Sequence, residues 1–326
     1  MGQIAPIRVG VIGTGVMGGH HTRVAATLPG CQLLGIHDLD TTRAAQVADQ
    51  FGVTAYATLP ALCDAVDAVI VASPTSTHAR VAGACLQAGC HVLVEKPIDS
   101  DVAAAEELLE TWKRTDRVLM IGHLERFNPA VTVLRALLAR EDVFAMEFQR
   151  LSPTPPRDRS ADIIFDLMIH DLDLVSALNH APVTSLHAMG HHVRYGFIDH
   201  VTALLRFANG ATATLTASCV SQQRVREGRI FTRTAQFTAD LARREVWLHR
   251  HGPSTLIDEK GHSYQTSQME QIGVPQNDPL AAEQEHFLQA IRSGVPPLTT
   301  PESGLQVLRL AQTIQDEVNT QLAALV

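Results

Sequence analysis

The feature that most constrains the fold of this chain is the regular alternation of short apolar segments and helical patterns within its first 122 residues. The segments are almost continuously apolar, which is typical of strands that are buried on both faces of a parallel sheet. Strand–helix alternation of this kind implies right-handed crossovers and therefore a doubly wound α/β sheet. The predicted strands are Ile7–Ile12, Gln32–His37, Ala68–Ala72, His91–Val94 and Val118–Ile121, and the predicted helices are Val16–Leu28, Thr42–Phe51, Thr77–Gln87 and Asp101–Arg114.

From residue 124 onward strand-like segments dominate, and the dipeptide Asn209-Gly210 between two of them is a strong hairpin signal. We therefore expect an α+β domain with an open, mostly antiparallel sheet. The length of 326 residues exceeds the size at which a single hydrophobic core stops growing, so two domains are expected, at residues 1–122 and 123–300. The predicted strands are Phe144–Gln149, Ser185–Met189, Val201–Phe207, Thr212–Ala217 and Ile230–Thr238, and the predicted helices are Pro129–Leu138, Asp162–Leu178, Pro279–Ile291 and Glu302–Leu322.

A glycine-rich turn joins the first predicted strand to the first predicted helix. Gly13 permits a tight turn, Gly15 lets the backbone approach a pyrophosphate, and Gly18 allows close helix–strand packing, as in the Rossmann dinucleotide fingerprint. The second strand ends at Asp38, whose carboxylate would bind a ribose 2′-hydroxyl and repel a 2′-phosphate, which favours NAD, whereas Arg43 leaves NADP open. The predicted cofactor contacts here are Gly13, Thr14, Gly15, Val16, Met17, Asp38 and Arg43.

Two further strand ends carry residues that could take part in chemistry. Ligands of open α/β sheets bind at the carboxyl ends of the strands, where this chain has residues 72–78 and the tripeptide Glu95-Lys96-Pro97. A lysine placed there could polarise or deprotonate a substrate hydroxyl, although an exposed structural lysine fits the sequence equally well. The cofactor contacts predicted at these ends are Ser73, Pro74, Thr75, His78, Glu95 and Lys96.

A second group of acid and base residues lies in the predicted helix Asp162–Leu178. Asp166, His170 and Asp173 would share one stripe of an α-helix, and an aspartate four residues before a histidine could orient it as a base. A solvated polar face would produce the same spacing. Asp171 lies on the apolar side and would need a buried partner.

Composition excludes several classes of protein. A formal charge of −8 argues against a nucleic-acid surface, and no apolar run is long enough to span a membrane. The start of the chain lacks the pattern of a signal peptide, and five cysteines without a Cys-x-x-Cys spacing favour reduced thiols in a cytoplasmic protein. The 16 histidines include no spacing that makes a positive case for a metal site.

Together these features resemble the Gfo/Idh/MocA oxidoreductases over nearly the whole chain. The resemblance implies an NAD-dependent sugar dehydrogenase in which Lys96 and His170 are acid/base residues and Asp166 supports His170 or binds substrate. It also implies a homodimer or homotetramer built on the second domain, and a helix 301–326 that packs back on the cofactor domain. The matching motifs are Gly13–Gly18, Asp38, Ser73-Pro74 with His78, Glu95-Lys96-Pro97, Asp166 with His170, and Glu302–Leu322.

A narrower resemblance covers Gly122–Ala130 and Asp166–Asp173, which look like the corresponding stretches of UDP-N-acetylglucosamine 3-dehydrogenases. It implies oxidation of the 3-hydroxyl of a nucleotide sugar, with His123, Arg126 and Asn128 as substrate contacts. It further implies an aminotransferase that acts next and a place in lipid A biosynthesis. Arg126 could equally pair with Glu125 or a helix end. The alternative functions are a dehydrogenase of a free sugar or inositol, and a non-catalytic NAD-binding sensor.

Overall fold

The computed structural model describes residues 5–155 and 162–324 of the chain. By internal contacts these residues form two compact units. Unit 1 comprises Met1–Phe127 and Asn277–Arg309, and unit 2 comprises Asn128–Gln276 and Leu310–Val326. No helix in the described ranges is both long and apolar enough to cross a membrane.

Unit 1 is built on a six-stranded parallel sheet with the order β3-β2-β1-β4-β5-β6, the strand order of a dinucleotide-binding doubly wound fold. The prediction of this fold is confirmed. Its strands are β1 (Ile7–Ile12), β2 (Cys31–His37), β3 (Thr54–Ala55), β4 (Ala68–Val71), β5 (His91–Glu95) and β6 (Leu119–Gly122), and its helices are α1 (Val16–Ala25), α2 (Thr41–Phe51), α3 (Leu59–Ala65), α4 (His78–Gln87) and α5 (Val102–Trp112).

The central strands of unit 1 are buried on both faces, as their continuous apolar sequences require. Every residue of β4 is buried, and so is every residue of β1 except Arg8, which pairs with Asp67 at the surface. The short β3 and the helix α3 were not predicted from the sequence. Two residues are too few to show a period, and α3 begins instead with a side-chain cap, in which Thr58 accepts from the Ala61 amide at 3.3 Å.

Unit 2 is built on an eight-stranded sheet with the order β14-β13-β12-β11-β7-β10-β9-β8. Its neighbouring strands pair antiparallel except β7 and β10, which are parallel, so the predicted mostly antiparallel sheet is confirmed. The elements in chain order are α6 (Pro129–Leu138), β7 (Val143–Leu151), α7 (Ile169–Asn179), β8 (Val183–His191), β9 (His200–Phe207), β10 (Thr212–Ser218), β11 (Val225–Thr232), β12 (Gln236–Asp240), β13 (Glu245–Ile257) and β14 (Ser263–Ile272).

Two predictions about these strands have opposite outcomes. The hairpin at Asn209-Gly210 is confirmed, since β9 and β10 pair antiparallel around Gly210, which has φ +88°. The single predicted strand Ile230–Thr238 is wrong, because the chain turns between β11 and β12. The turn is stabilised by Thr232, whose hydroxyl accepts from the Ala235 amide at 3.1 Å.

The last two helices are α8 (Pro279–Ser293) and α9 (Pro301–Ala323). Phe287 and Leu288 of α8 lie in the same hydrophobic cluster as β1 and β4, so this helix belongs to unit 1 rather than to the predicted 123–300 domain. Helix α9 contributes Pro301–Arg309 to unit 1 and its later turns to unit 2, whereas the prediction placed all of 301–326 with the cofactor domain. The contact boundary at Phe127 also lies later than the predicted residue 122.

Candidate functional site

The glycine-rich turn between β1 and α1 has the geometry that its sequence predicts. Gly13 has φ +88°, and a Cβ there would lie 2.6 Å from the carbonyl oxygen of Ala72, so only glycine fits without strain. A Cβ on Gly18 would overlap the Gly13 carbonyl. Gly15, the N-cap residue of α1, has no side-chain cap, and among the described residues no atom lies within 4 Å of where its Cβ would be. The first amides of α1 are thus open to an approaching anion.

Asp38, directly after β2, is held in its charged form. Its Oδ2 accepts from the Thr14 amide at 2.6 Å and the Thr14 hydroxyl at 2.7 Å, and its Oδ1 accepts from the Asp40 amide at 2.8 Å. Burial alone would raise its pKa, but these hydrogen bonds and one from Arg43 lower the pKa to about 2. A permanent carboxylate therefore lies beside the glycine turn, as the sequence predicts.

Arg43 on α2 lies against this carboxylate. Its Nη2 is 2.9 and 3.0 Å from the two oxygens of Asp38, and its Nε donates to the Thr14 hydroxyl at 3.1 Å. The guanidinium is about half exposed. Arg43 is thus part of the predicted cofactor-binding group, and its charge offsets the repulsion that Asp38 would exert on a second phosphate.

The segment after β4 forms a short 3₁₀ turn, Thr75–Thr77, that leads into α4. The Ser73 and Thr77 hydroxyls lie 2.8 Å apart. His78 is 2% exposed, and its two ring nitrogens lie 2.8 Å from the carbonyl oxygens of Pro97 and Ser73. His78 therefore connects the loops that follow β4 and β5. Contact of His78, Ser73, Pro74 and Thr75 with a cofactor stays a prediction.

The tripeptide Glu95-Lys96-Pro97 lies at the carboxyl end of β5, and its Lys96–Pro97 peptide is cis. Lys96 is partly exposed, whereas Glu95 is 7% exposed. One oxygen of Glu95 accepts from the Lys96 amide at 3.1 Å, and the other lies 2.7 Å from Nε2 of His21 on α1. The acidic residue is therefore buried within unit 1, whereas the lysine beside it is partly exposed, and its role in catalysis stays a prediction.

The structure adds residues to this end of β5 that sequence reasoning did not select. Glu283 and Gln284 of α8 lie beside His21, with the Gln284 amide nitrogen 3.0 Å from its Nδ1. Groups on His21, Glu95 and Glu283 lie within 4.8 Å of one another. No motif marks Glu283. A helical plot of α8 would, however, have placed this glutamate on the apolar face of an amphipathic helix, which is an unusual position for a charged residue.

The three substrate contacts predicted after β6 are largely buried in the protein. His123 is 1% exposed, and Arg126 donates from Nη1 to the Leu298 carbonyl at 2.9 Å within unit 1. Asn128 caps α6 by accepting from the Ala130 amide, and it donates to the Leu241 carbonyl at 2.9 Å within unit 2. Arg126 and Asn128 therefore stabilise the backbone around them, and their binding of substrate stays a prediction.

The second group of candidate residues, in unit 2, begins with a π turn rather than an α-helix. Ile164–Met168 form the π turn, and α7 follows directly. A π turn shifts the phase of the helix after it and is frequent at functional sites. Asp166 and His170 are both partly exposed, whereas Asp173, one turn after His170 in α7, is fully buried.

Buried polar contacts hold this segment in place. Asp171 is bound by Arg150 of β7 through hydrogen bonds of 2.8 to 3.1 Å, which supplies the buried partner that the sequence required. Asp162 accepts from the Ile164 amide at 2.9 Å and from the Gln315 side chain at 2.7 Å. Asp166 and His170 are therefore carried by a rigid, well-packed element.

A doubly wound sheet with an open glycine turn and a carboxylate after β2 defines a dinucleotide-binding oxidoreductase fold. Residues 7–123 match the oxidoreductase family with an NAD-binding Rossmann fold, and residues 142–238 match the GFO/IDH/MocA C-terminal domain. The chain belongs to the Gfo/Idh/MocA family, is an oxidoreductase, and has NAD as its cofactor.

Relatives show which branch of the family the chain is similar to. It is 35% identical over 316 residues to UDP-N-acetylglucosamine 3-dehydrogenase of Acidithiobacillus ferrooxidans, covering 97% of this chain and 98% of the relative. It is 28% identical to scyllo-inositol 2-dehydrogenase (NAD(+)) of Bacillus subtilis, covering 90% and 89%. A solved structure of the Acidithiobacillus enzyme has a TM-score of 0.89 at 34% identity, over 97% of this chain and 99% of that chain.

Proposed function

We propose that this protein is an NAD-dependent dehydrogenase of a nucleotide sugar, and that it oxidises the 3-hydroxyl of UDP-N-acetylglucosamine to a ketone. The observation that carries the proposal is the 35% identity to a UDP-N-acetylglucosamine 3-dehydrogenase, which extends over 97% of the chain and so includes both units. The short motifs at Gly122–Ala130 and Asp166–Asp173 support the same branch of the family.

The residues of unit 1 fit an NAD molecule. Free space over Gly15 admits a pyrophosphate, and Asp38 is charged and can accept hydrogen bonds from a ribose. When bound, NAD⁺ supplies the acceptor for the hydride, so the protein's share is orientation and proton handling. The 2′-phosphate of an NADP molecule would be repelled by the carboxylate of Asp38 and attracted by the guanidinium of Arg43.

We assign the proton handling to Lys96, His170 and Asp166. Lys96 is partly exposed at the carboxyl end of a central strand, where ligands of this fold bind. His170 and Asp166 are partly exposed on an element whose other acidic groups, Asp171 and Asp173, are buried. A histidine can exchange a proton near neutral pH, and a carboxylate four residues before it can support that exchange.

The test is NADH absorbance after mixing purified protein, NAD⁺ and UDP-N-acetylglucosamine, with hydrazine present to trap the ketone. We expect a signal that requires both the UDP and the N-acetyl group, measured against UDP-glucose and free N-acetylglucosamine. Lys96→Met should abolish turnover while NAD binding, followed by protein fluorescence, remains. Full turnover by Lys96→Met would contradict the assigned role of this lysine.

The second candidate is a dehydrogenase of inositols, which the similarity to two full-length inositol dehydrogenases favours. A signal with scyllo- or myo-inositol and none with the UDP-sugar would establish it in place of the first. If the nucleotide sugar is the substrate, an aminotransferase that consumes the 3-keto sugar is the expected partner. Its addition in place of hydrazine should pull the reaction forward.

A further inference from the structure

A closed cluster of ionisable side chains lies beside the carboxyl end of β5. It consists of His21 from α1, Glu95 from β5 and Glu283 from α8, all within unit 1 and 0%, 7% and 0% exposed. Their nitrogen and oxygen atoms lie within 4.8 Å of one another. Such a cluster must hold either a cation or a proton, because two buried carboxylates side by side are not stable.

The hydrogen bonds of His21 show whether the cluster holds a cation or a proton. The Gln284 amide nitrogen donates to the His21 carbonyl at 3.2 Å, and since a carbonyl can only accept, the orientation of this amide is determined. The same nitrogen lies 3.0 Å from Nδ1 of His21, which must therefore be the acceptor. The ring proton is then on Nε2 and is donated to Glu95 at 2.7 Å. Neither ring nitrogen keeps a lone pair for a metal ion.

The two carboxyl groups have opposite surroundings. Both oxygens of Glu283 are buried, and neither has a hydrogen-bond partner in the described part of the chain. Burial and the neighbouring charge of Glu95 raise the pKa of Glu283 well above its usual value. Burial would also raise the pKa of Glu95, but the hydrogen bond from His21 and the nearby Lys96 and His78 side chains lower it. Two carboxyls whose environments differ in this way divide one proton and one charge between them.

We propose that this cluster keeps a proton on Glu283 and a single negative charge on Glu95, and that this charge holds Lys96 in its ammonium form. The groups that face Glu95 are the His21 ring, Glu283, Lys96 and His78. The inference that Lys96 then donates a hydrogen bond to the substrate oxygen rests on the proposed function. Glu95, Glu283 and His21 are positioning residues in this arrangement.

The proton on Glu283 is tested by stability, which needs no substrate. An unfolded glutamate loses its proton near pH 4.5, whereas the folded Glu283 keeps it. The folded state then binds one proton more, so wild-type stability falls with rising pH relative to Glu283→Gln, which has no proton to lose. We expect the ratio of the unfolding constants, wild type over variant, to rise tenfold per pH unit from about pH 5.5 to 7.

The matched control is Glu285→Gln, an exposed position on the same helix, for which the ratio should not change with pH. A flat ratio for Glu283→Gln as well would overturn the proposal. So would one equivalent of metal per chain in the purified protein, lost in Glu283→Gln.

The charge on Glu95 is tested at Lys96 itself. The chain contains three lysines, Lys96, Lys113 and Lys260, so reductive ¹³C-methylation gives a spectrum simple enough to titrate, with Lys96→Arg for assignment. In Glu95→Gln the midpoint of Lys96 should fall by about one pH unit or more, while Lys113 and Lys260 stay unchanged. An unmoved Lys96 midpoint would overturn the proposal. Inactivity of the wild type on every sugar would overturn the proposed function instead, and would leave both of these measurements decisive.

Discussion

Replacing Asp171 with asparagine tests what holds the helix that carries His170. Asp171 accepts from Nε of Arg150 at 3.1 Å on each oxygen, and from Nη2 at 2.8 Å on Oδ1. The two side chains are 2% and 3% exposed. Asparagine keeps the volume of the aspartate but not its charge, so the guanidinium would stay buried without the charge of Asp171.

The size of the effect follows from this burial. Removing one partner of a buried ion pair costs about 3–5 kcal/mol, because the remaining charge is desolvated and uncompensated. Coulomb's law gives about 4 kcal/mol for unit charges 4 Å apart at an effective dielectric constant of 20, which is the same range. A domain is stable by roughly 5–15 kcal/mol, so Asp171→Asn should remove about a fifth or more of the stability of unit 2.

The assay is urea unfolding followed by the fluorescence of Trp247, which lies on β13 of unit 2, in a Trp112→Phe background that silences unit 1. The matched control is Asp142→Asn. Its pair with Arg233 has the same 2.8 Å separation but side chains 71% and 79% exposed, so the loss should be under about 1 kcal/mol. If Asp171→Asn cost no more than Asp142→Asn, burial would not be what makes the Arg150 pair matter, and the reasoning would be refuted.

Two further predictions concern the cofactor turn. The pKa of Asp38 is lowered from 3.8 to about 2, so the charged form contributes roughly 2 kcal/mol of stability above pH 4, which is lost as the pH falls toward 2. Asp38→Asn should remove this acid dependence, measured by acid unfolding at Trp112, and should weaken NAD binding about tenfold or more; an unchanged acid midpoint would contradict it. Gly18→Ala should abolish NAD binding and lower the melting temperature, because its Cβ overlaps the Gly13 carbonyl. Gly19→Ala, with open space at its Cβ, should be neutral or slightly stabilising, and equal effects of the two would refute the packing argument.

The parts of the structure that could be predicted from the sequence are those in which local pattern and tertiary environment agree. Strands β1, β4, β5 and β6 are buried over almost their whole length, so their apolar runs are unambiguous. The glycine turn was predictable because Gly13 and Gly18 each meet a steric requirement and Gly15 leaves the start of α1 open. By contrast, β13 and β14 were missed since they are rich in polar residues and follow no simple alternation.

The two helical surprises have distinct physical causes. The π turn at Ile164–Met168 breaks the 3.6-residue period before α7, so a stripe drawn for one continuous α-helix misplaces Asp166 relative to His170. The assignment of α9 to one domain failed because the beginning and the end of this long helix belong to different units. Gly304 packs on Ile121 of β6, whereas Val318 packs against Gly190 of β8.

Buried charges show where inference from one sequence stops. The position of Asp171 on an apolar face showed that it needed a partner, but several arginines could have filled that need, and the choice of Arg150 depends on the register of β7 against the helix. Glu283 is a harder case, since its neighbour His21 is more than 250 positions away along the chain. Both carboxyl oxygens of Glu283 are buried beside a second carboxylate. This arrangement exists only in the folded core and cannot be read from the sequence. A buried carboxyl is therefore the kind of residue whose role the structure, and not the pattern, has to supply.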